Sequence, residues 1–180
     1  MTTTDKPATG AATNLPVEIE LEKPEDAAEV AALIDRVFGP AIFTRAAHVL
    51  RGQTPSVPQF TFVARAEGAI IGTVRLTPIR WGERVVLMLG PLGVEASTKN
   101  MGVGRSLMKT VMDAARGHED ADRWGAVMLV GDAPYYRPFG FEPVAHGAFE
   151  APLPVDPLRV LVAPLVEGGA GGLAGVARPL

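Results

Sequence analysis

Three strand-like segments separated by two very short turns constrain the fold of this chain more than any other feature. The segments cover residues 60–66, 69–81 and 84–94, and only Glu67-Gly68 and Gly82-Glu83 separate them. Turns of two residues join antiparallel neighbours, whereas parallel strands need a crossover of about a dozen residues or more. The sequence therefore predicts an antiparallel meander of three strands near the middle of the chain.

Helical patterns flank this meander. Residues 24–39 start with proline and acidic residues, and residues 103–116 carry an apolar stripe at helical spacing. The remaining elements are expected as strands at 17–21 and 124–131, a helix near 41–50 and a loop at 53–59. This order predicts an α/β fold with a mixed, mostly antiparallel central sheet flanked by helices.

Composition limits the chemistry that the chain can perform. Its 17 basic and 20 acidic side chains give a formal net charge of −3. Because the chain has no excess of positive charge that would attract a polyanion, no nucleic-acid partner is expected. The absence of cysteine excludes disulfides, thiolate metal sites and a cysteine nucleophile. The three histidines, His48, His118 and His146, are scattered without ligand spacing, and no metal is predicted.

The ends of the chain differ from its centre. Residues 1–15 are expected to form a disordered tail, residues 16–165 a single domain, and residues 166–180 a glycine-rich, weakly ordered segment. The longest apolar stretch, at 85–94, is far shorter than the roughly 18 residues of a spanning helix. No targeting signal is recognised, so we expect a cytoplasmic protein with no membrane partner.

A glycine-bearing turn connects the third strand of the meander to the helix at 103–116. Gly102 and Gly104 stand at the start of that helix, where unpaired backbone N–H groups and the helix dipole can hold a phosphate or pyrophosphate. The same glycines could instead relieve crowding where the helix begins. Neither the Walker pattern nor the G-x-G-x-x-G dinucleotide fingerprint is present.

Two motifs give this turn a wider context. LGPLGVEASTKNMGVGRSLM resembles the acetyl-CoA-binding motif [QR]-x-x-G-x-[GA] of the GNAT (general-control-type) N-acetyltransferase superfamily, with Lys99 in the position of its first residue. Downstream, Tyr136 to Phe141 resembles the Y-x-x-x-G-F segment that follows the fifth strand of that family. FGPAIFTRAAHVLRG, at 38–52, looks like the acceptor-side helices of bacterial small-molecule acetyltransferases. The resemblance covers about residues 17–150.

The resemblance implies acetyl-CoA as cosubstrate and a sheet that splays between its fourth and fifth strands. Backbone groups around Leu92 and Val94 would pair with pantetheine and supply an oxyanion donor, and residues 99–105 would hold the pyrophosphate. The cofactor-binding residues expected on this basis are Leu92, Gly93, Val94, Lys99, Asn100, Met101, Gly102, Val103, Gly104 and Arg105.

The same match nominates Tyr136 as the catalytic acid, because a phenol with a pKa near 10 is protonated at neutral pH and can donate to a departing thiolate. Tyr135 is the alternative ring. For the base, Glu83, Glu95, Asp132 and water remain open.

The resemblance thus implies an N-acetyltransferase that moves an acetyl group directly from acetyl-CoA to a primary amine, on a small molecule, a peptide N-terminus or a lysine. A non-catalytic acyl-CoA-binding or regulatory module is the alternative, since Lys99 and Asn100 depart from the motif. A nucleotide-binding domain of another class is a weaker third possibility. The acceptor is not indicated by any charge cluster, and a homodimer is possible.

Overall fold

Ten strands form one sheet within residues 16–40, 42, 46–98 and 101–180, which the computed structural model describes. The strands are β1 Glu18–Leu21, β2 Thr61–Ala66, β3 Ala69–Trp81, β4 Arg84–Leu89, β5 Gly93–Val94, β6 Ala126–Val130, β7 Glu142–Pro143, β8 Phe149–Glu150, β9 Val160–Pro164 and β10 Gly175–Pro179. The helices are α1 Ala27–Phe38, α2 Ala46–Arg51, α3 Val103–Arg116, α4 Ala121–Trp124 and α5 Ala133–Tyr136.

The long strand β3 organises the sheet because each of its edges serves two partners. Its first half pairs with β2 on one edge and β5 on the other, and its second half pairs with β10 and β4 on the corresponding edges. All four pairings are antiparallel, so the predicted meander and the mostly antiparallel α/β fold are confirmed.

The expected continuous strand at 84–94 is wrong, because β4 ends at Leu89 and the chain starts again as β5 at Gly93. Pro91 has no N–H to donate to a ladder, and Gly90 has φ +132°, a conformation that side chains rarely adopt. Because of this break, β4 pairs with the second half of β3, whereas β5 pairs with its first half.

A gap opens where this break occurs. β4 runs parallel to β6, but only Leu87 and Met88 have partners, Val127 and Met128. Beyond Met88 the two strands separate, since β6 continues beside β9 while the other chain turns toward β3. The sheet is therefore splayed between its fourth strand and the strand after α3, in agreement with the expected fold.

Helices cover both faces of the sheet. The predicted apolar stripe of α3 is buried on one face, with Val103, Leu107, Met108, Val111, Met112 and Ala115 all at most 2% exposed. On the other face, α1 packs through Val30 and Leu33, and α2 packs through Leu50. None of the helices in the described ranges is long and apolar enough to cross a membrane.

The C-terminal end differs from the expected weak order. Gly175–Pro179 pairs with β3 from Ile79 to Trp81, and Ala177 is fully buried. That edge of β3 is available because β2 ends its pairing at Arg75. The predicted helix near 41–50 is observed as Ala46–Arg51, with residues 41 and 43–45 outside the described residues. The predicted domain boundaries stay predictions.

Candidate active site

The gap between β4 and β6 holds a cavity of about 840 Å³. One wall comes from α1 and α2, the floor from the chain between Leu89 and Val94, and the opposite wall from the end of β6 and from α5. Of the candidate residues named from the sequence, the cavity is lined by Leu92, Val94, Asp132, Tyr135 and Tyr136. The structure thus brings the two separate motifs to one site.

Within the described residues, the strand edge at Leu92 and Val94 has no partner strand and faces the cavity. The Glu95 N–H donates to the Ile71 carbonyl oxygen at 2.8 Å, so this backbone position faces β3. Successive residues of a strand direct their N–H and C=O groups to opposite sides, and Leu92 and Val94 therefore direct theirs away from β3, toward the gap. An extended chain entering the gap could add there as a further strand.

Gly93 lies between these two residues but does not line the cavity. It is buried, and a Cβ at this position would lie 3.3 Å from the ring of Phe38. A bare backbone here lets α1 approach the sheet closely. Its own N–H and C=O face β3, where Gly93 pairs with Thr73, so its expected role in cofactor binding stays a prediction.

The glycine turn opens α3 as predicted. Gly102 precedes the helix with φ +77°, and space for a Cβ there is open to 4 Å. Among the described residues, no side chain caps this end of the helix. The first-turn N–H groups, from Val103 to Arg105, have no carbonyl four residues earlier within the helix. Such donors, together with the N-terminal dipole, are of the kind that can hold an anion, and pyrophosphate binding at this turn stays a prediction.

The other residues predicted to hold the pyrophosphate differ in how far they are exposed. Val103 is 2% exposed and belongs to the core, whereas the Met101 side chain is 40% exposed. Lys99 and Asn100 lie outside the described residues. Val103 can therefore contribute to pyrophosphate binding only through its backbone.

Tyr135 links the helix start to the cavity. A Cβ at Gly104 would lie 2.7 Å from the Tyr135 hydroxyl oxygen and 3.6 Å from the nearest atom of Val94. Burial raises the pKa of the Tyr135 phenol, and the charge of Arg105 acts in the opposite direction. The close approach of this hydroxyl is thus one reason for a glycine at position 104.

Tyr136 lies deeper in the wall. Its ring packs against Gly131, is edge-on to Tyr135 at 4.8 Å between centroids, and lies 6.0 Å from the ring of Phe141. Burial, followed by the neighbouring Tyr135 and Asp132, raises the pKa of the Tyr136 phenol to about 12. The hydroxyl is therefore fully protonated at neutral pH, as a proton donor requires.

The three candidate bases are separated by the fold. Glu83 lies in the hairpin turn at the start of β4, at the end of that strand remote from the cavity. The Glu95 carboxylate accepts two hydrogen bonds from Arg36, at 2.8 and 2.6 Å, and does not line the cavity. Asp132 does line it, with its carboxylate 3.3 Å from Nε of Arg159. Asp132 is the one of the three acids that faces the gap.

Sequence reasoning missed two basic residues of the cavity. Arg51, at the end of α2, and Arg159, just before β9, both line it. The likeness of 38–52 to acceptor-side helices was a signal for Arg51, but it did not distinguish which side chain faces inward. Arg159 lies beyond the part of the chain that the motifs cover.

Comparison with known proteins agrees with this arrangement. The sequence profile of the Acetyltransferase (GNAT) family matches residues 28–141. The uncharacterized N-acetyltransferase YhbS of Escherichia coli K12 is 27% identical over 160 residues, which cover 88% of this chain and 93% of YhbS.

Solved structures extend the likeness to the fold. The crystal structure of E. coli YhbS in complex with CoA is 26% identical, with a TM-score of 0.76 over 96% of this chain and 93% of that one. A GNAT family acetyltransferase from Brucella melitensis in complex with acetyl-CoA is 25% identical, with a TM-score of 0.57 over 82% of this chain and 95% of that one. With the splayed sheet, the glycine turn and the profile match over more than half of its length, this chain belongs to the GNAT acetyltransferase family.

Proposed function

We propose that this protein transfers an acetyl group from acetyl-CoA to a primary amine by direct attack within the cavity between β4 and β6. The observation that carries the proposal is the pairing of an open backbone edge, at Leu92 and Val94, with a protonated phenol, Tyr136, on the opposite wall. The relatives solved with CoA and acetyl-CoA support the choice of donor.

Donor binding uses the backbone in two places. The pantetheine arm, which carries amide groups, pairs with the edge at Leu92 and Val94 as an additional strand would. The pyrophosphate binds at the start of α3, where Gly102 and Gly104 leave the N–H groups accessible. A backbone N–H of the 92–94 edge polarises the thioester carbonyl and stabilises the charge that develops on its oxygen.

Transfer requires two proton movements. The neutral amine attacks the thioester carbonyl carbon, a C–N bond forms, and the C–S bond breaks. The Tyr136 hydroxyl gives its proton to the departing thiolate sulfur, and the proton lost by the attacking nitrogen passes through water toward Asp132 and solvent. The tyrosine then recovers a proton from solvent, so the charges balance over one turnover.

The experiment that tests this proposal measures CoA thiol release from acetyl-CoA over a panel of amines, with mass spectrometry of the N-acetyl product. Thermal unfolding with and without CoA is recorded in parallel. At a CoA concentration about a hundredfold above Kd, binding adds roughly 2.7 kcal/mol to the free energy of unfolding. For this chain length that raises Tm by about 5–10 °C.

The outcomes separate the candidate functions. A Tm shift with CoA and amine-dependent thiol release supports the transferase. A Tm shift without transfer to any amine identifies a non-catalytic acyl-CoA-binding module. Stabilisation by ATP in place of CoA would overturn both.

A further inference from the structure

An arginine side chain lies between the active-site cavity and a second cavity beside it. Arg51 is the last residue of α2, and it lines both the cavity of about 840 Å³ and the adjoining one of about 400 Å³. Its Nη1 is close to the break after β4, since a Cβ at Gly90 would lie 3.2 Å from this atom. The guanidinium thus stands at the side of the site formed by α1 and α2, opposite Tyr136.

This guanidinium has no anionic partner within the described parts of the chain. Other arginines do have one: Arg36 binds the Glu95 carboxylate, and Arg75 binds the Glu22 carboxylate through two nitrogens, at 3.1 and 2.6 Å. No described carboxylate lies within 4 Å of the Arg51 guanidinium, and its only charged neighbour of note is Arg75. Burial, and secondly the charge of Arg75, lower the pKa of Arg51 to about 10, so that it stays cationic at neutral pH.

The second cavity is suited to an anion. None of its described lining side chains is acidic, and Arg51, Arg75, Thr54 and Ser56 contribute to its wall. Arg75 is already paired with Glu22, and the Thr54 hydroxyl donates to the main-chain oxygen of Leu180 at 3.1 Å, so Arg51 is the cation left for a ligand. Of the carboxylates that line the main cavity, Asp132 belongs to the opposite wall, and Asp156 accepts a hydrogen bond from the Leu158 N–H at 3.0 Å. An anionic group bound at Arg51 would therefore face no carboxylate side chain among the described residues that line this cavity.

A partly buried guanidinium without a partner is unfavourable in the free protein, because it loses hydration without gaining an ion pair. The position is nevertheless held firmly, since the preceding residue, Leu50, is fully buried in the core against β3 and β4. A ligand that supplies two oxygen atoms to the planar fork would satisfy it, and such charge-assisted pairs are among the stronger hydrogen bonds in proteins.

We propose that Arg51 binds an anionic oxygen group, a carboxylate or a phosphate, carried by the acceptor amine. The acidic group would lie toward the second cavity, and the amino group would extend into the main cavity toward the thioester. The proposal rests on the proposed transfer function and narrows its acceptor from primary amines in general to amino acids or amine phosphates.

The test compares matched amines on the wild-type protein and three variants. An amino acid is paired with its carboxamide, and phosphoethanolamine is paired with ethanolamine, so that each pair differs by one anionic group and the two pairs distinguish carboxylate from phosphate. The variants are Arg51→Met, Arg51→Lys and, as the matched control, Arg123→Met, which removes an exposed arginine of α4 that lines neither cavity. A Tm shift with CoA reports that each variant is folded.

The wild-type protein should prefer the anionic member of at least one pair. In Arg51→Met, kcat/KM for that member should fall by about 10- to 100-fold relative to its neutral counterpart, mainly through KM. Arg51→Lys should retain part of the preference, because it keeps the charge but loses the fork. Arg123→Met should keep the wild-type ratio.

A second readout does not depend on transfer. Binding of the N-acetylated amino acid and of N-acetyl-phosphoethanolamine to the CoA-loaded protein is measured by calorimetry. Binding that Arg51→Met abolishes supports this proposal even if no amine is acetylated, an outcome that would refute only the transferase function. Three outcomes would overturn the proposal for Arg51. They are acetylation of both members of every pair at equal rates, an equal loss of kcat/KM for both members in Arg51→Met, and no binding of either anionic product.

Discussion

Replacing Tyr136 by phenylalanine tests the proposed acid directly, because it removes one hydroxyl and keeps the ring. The ring contacts with Gly131 and Phe141 are retained. The hydroxyl has no hydrogen-bond partner among the described residues, and Tyr136 is one of the residues that line the cavity. Its removal therefore leaves no buried group unpaired, and Tm and CoA affinity should stay close to those of the wild type.

The size of the catalytic effect follows from the two pKa values involved. A phenol with a pKa of about 12 is a weaker acid than a free thiol, whose pKa is about 8.5, so full proton transfer to a hydrated thiolate would cost about 5 kcal/mol. The burial that raises the pKa of Tyr136 also raises the pKa of a thiol held in the same cavity. The difference between the two pKa values is therefore smaller in the cavity than in water. A well-placed acid then contributes about 10²- to 10⁴-fold, and kcat of Tyr136→Phe should fall by that factor.

The assay is steady-state thiol release, with Tyr135→Phe as the matched control. Because the Tyr135 hydroxyl lies at the start of α3, its loss should act on the KM for acetyl-CoA more than on kcat. A silent Tyr136→Phe with a kcat loss in Tyr135→Phe would move the acid to the neighbouring ring. Silence in both variants would refute a tyrosine acid altogether.

Two further predictions concern the turn and the pH profile. Gly104→Val should weaken CoA binding at least tenfold, about 1.4 kcal/mol, because a side chain there crowds the first-turn N–H groups and displaces the Tyr135 hydroxyl. Unchanged CoA affinity in a folded variant would show that this glycine only makes room for the Tyr135 side chain. With the Tyr136 phenol protonated up to a pKa of about 12, kcat/KM for a lysine-like amine should rise as the amine loses its proton toward pH ~10, without a decline caused by the tyrosine. A decline below pH ~10 that Tyr136→Phe removes would contradict the buried phenol.

The parts of the fold that the sequence predicts are those set by neighbouring residues. The hairpins at Glu67-Gly68 and Gly82-Glu83 and the buried stripe of α3 depend on turn length and on period, and the structure confirms them. The strand β10 depends on something else, the free edge of β3 beyond Arg75. A glycine-rich segment carries no local signal of such a distant partner, so weak order is the natural expectation.

The same distinction applies to the site. Tyr136 and the glycine turn are recognisable because motif spacing marks them, and both face the cavity region. Glu83 and Glu95 flank the predicted strand equally well in the sequence. Only the direction of β4 and the ion pair with Arg36 show that neither carboxylate reaches the gap. Arg51 lies in the segment 38–52, whose likeness to acceptor-side helices does not tell which side chain faces inward, because that depends on how α2 packs on the sheet.

Gly90 connects the fold to both halves of the site, and its replacement by alanine is the last test. The residue has φ +132° at the break where the chain leaves the direction of β4 before residues 92–94. A Cβ at Gly90 would lie 3.2 Å from Nη1 of Arg51. Gly68→Ala is the control, since it also has a positive φ, +83°, but open space for a Cβ. Both variants should lose roughly 1–3 kcal/mol of stability from backbone strain, measured as a lower Tm. Only Gly90→Ala should also raise the KM for the acceptor, because it displaces the guanidinium. Equal acceptor KM values in the two variants would show that Arg51 and the strand break are independent.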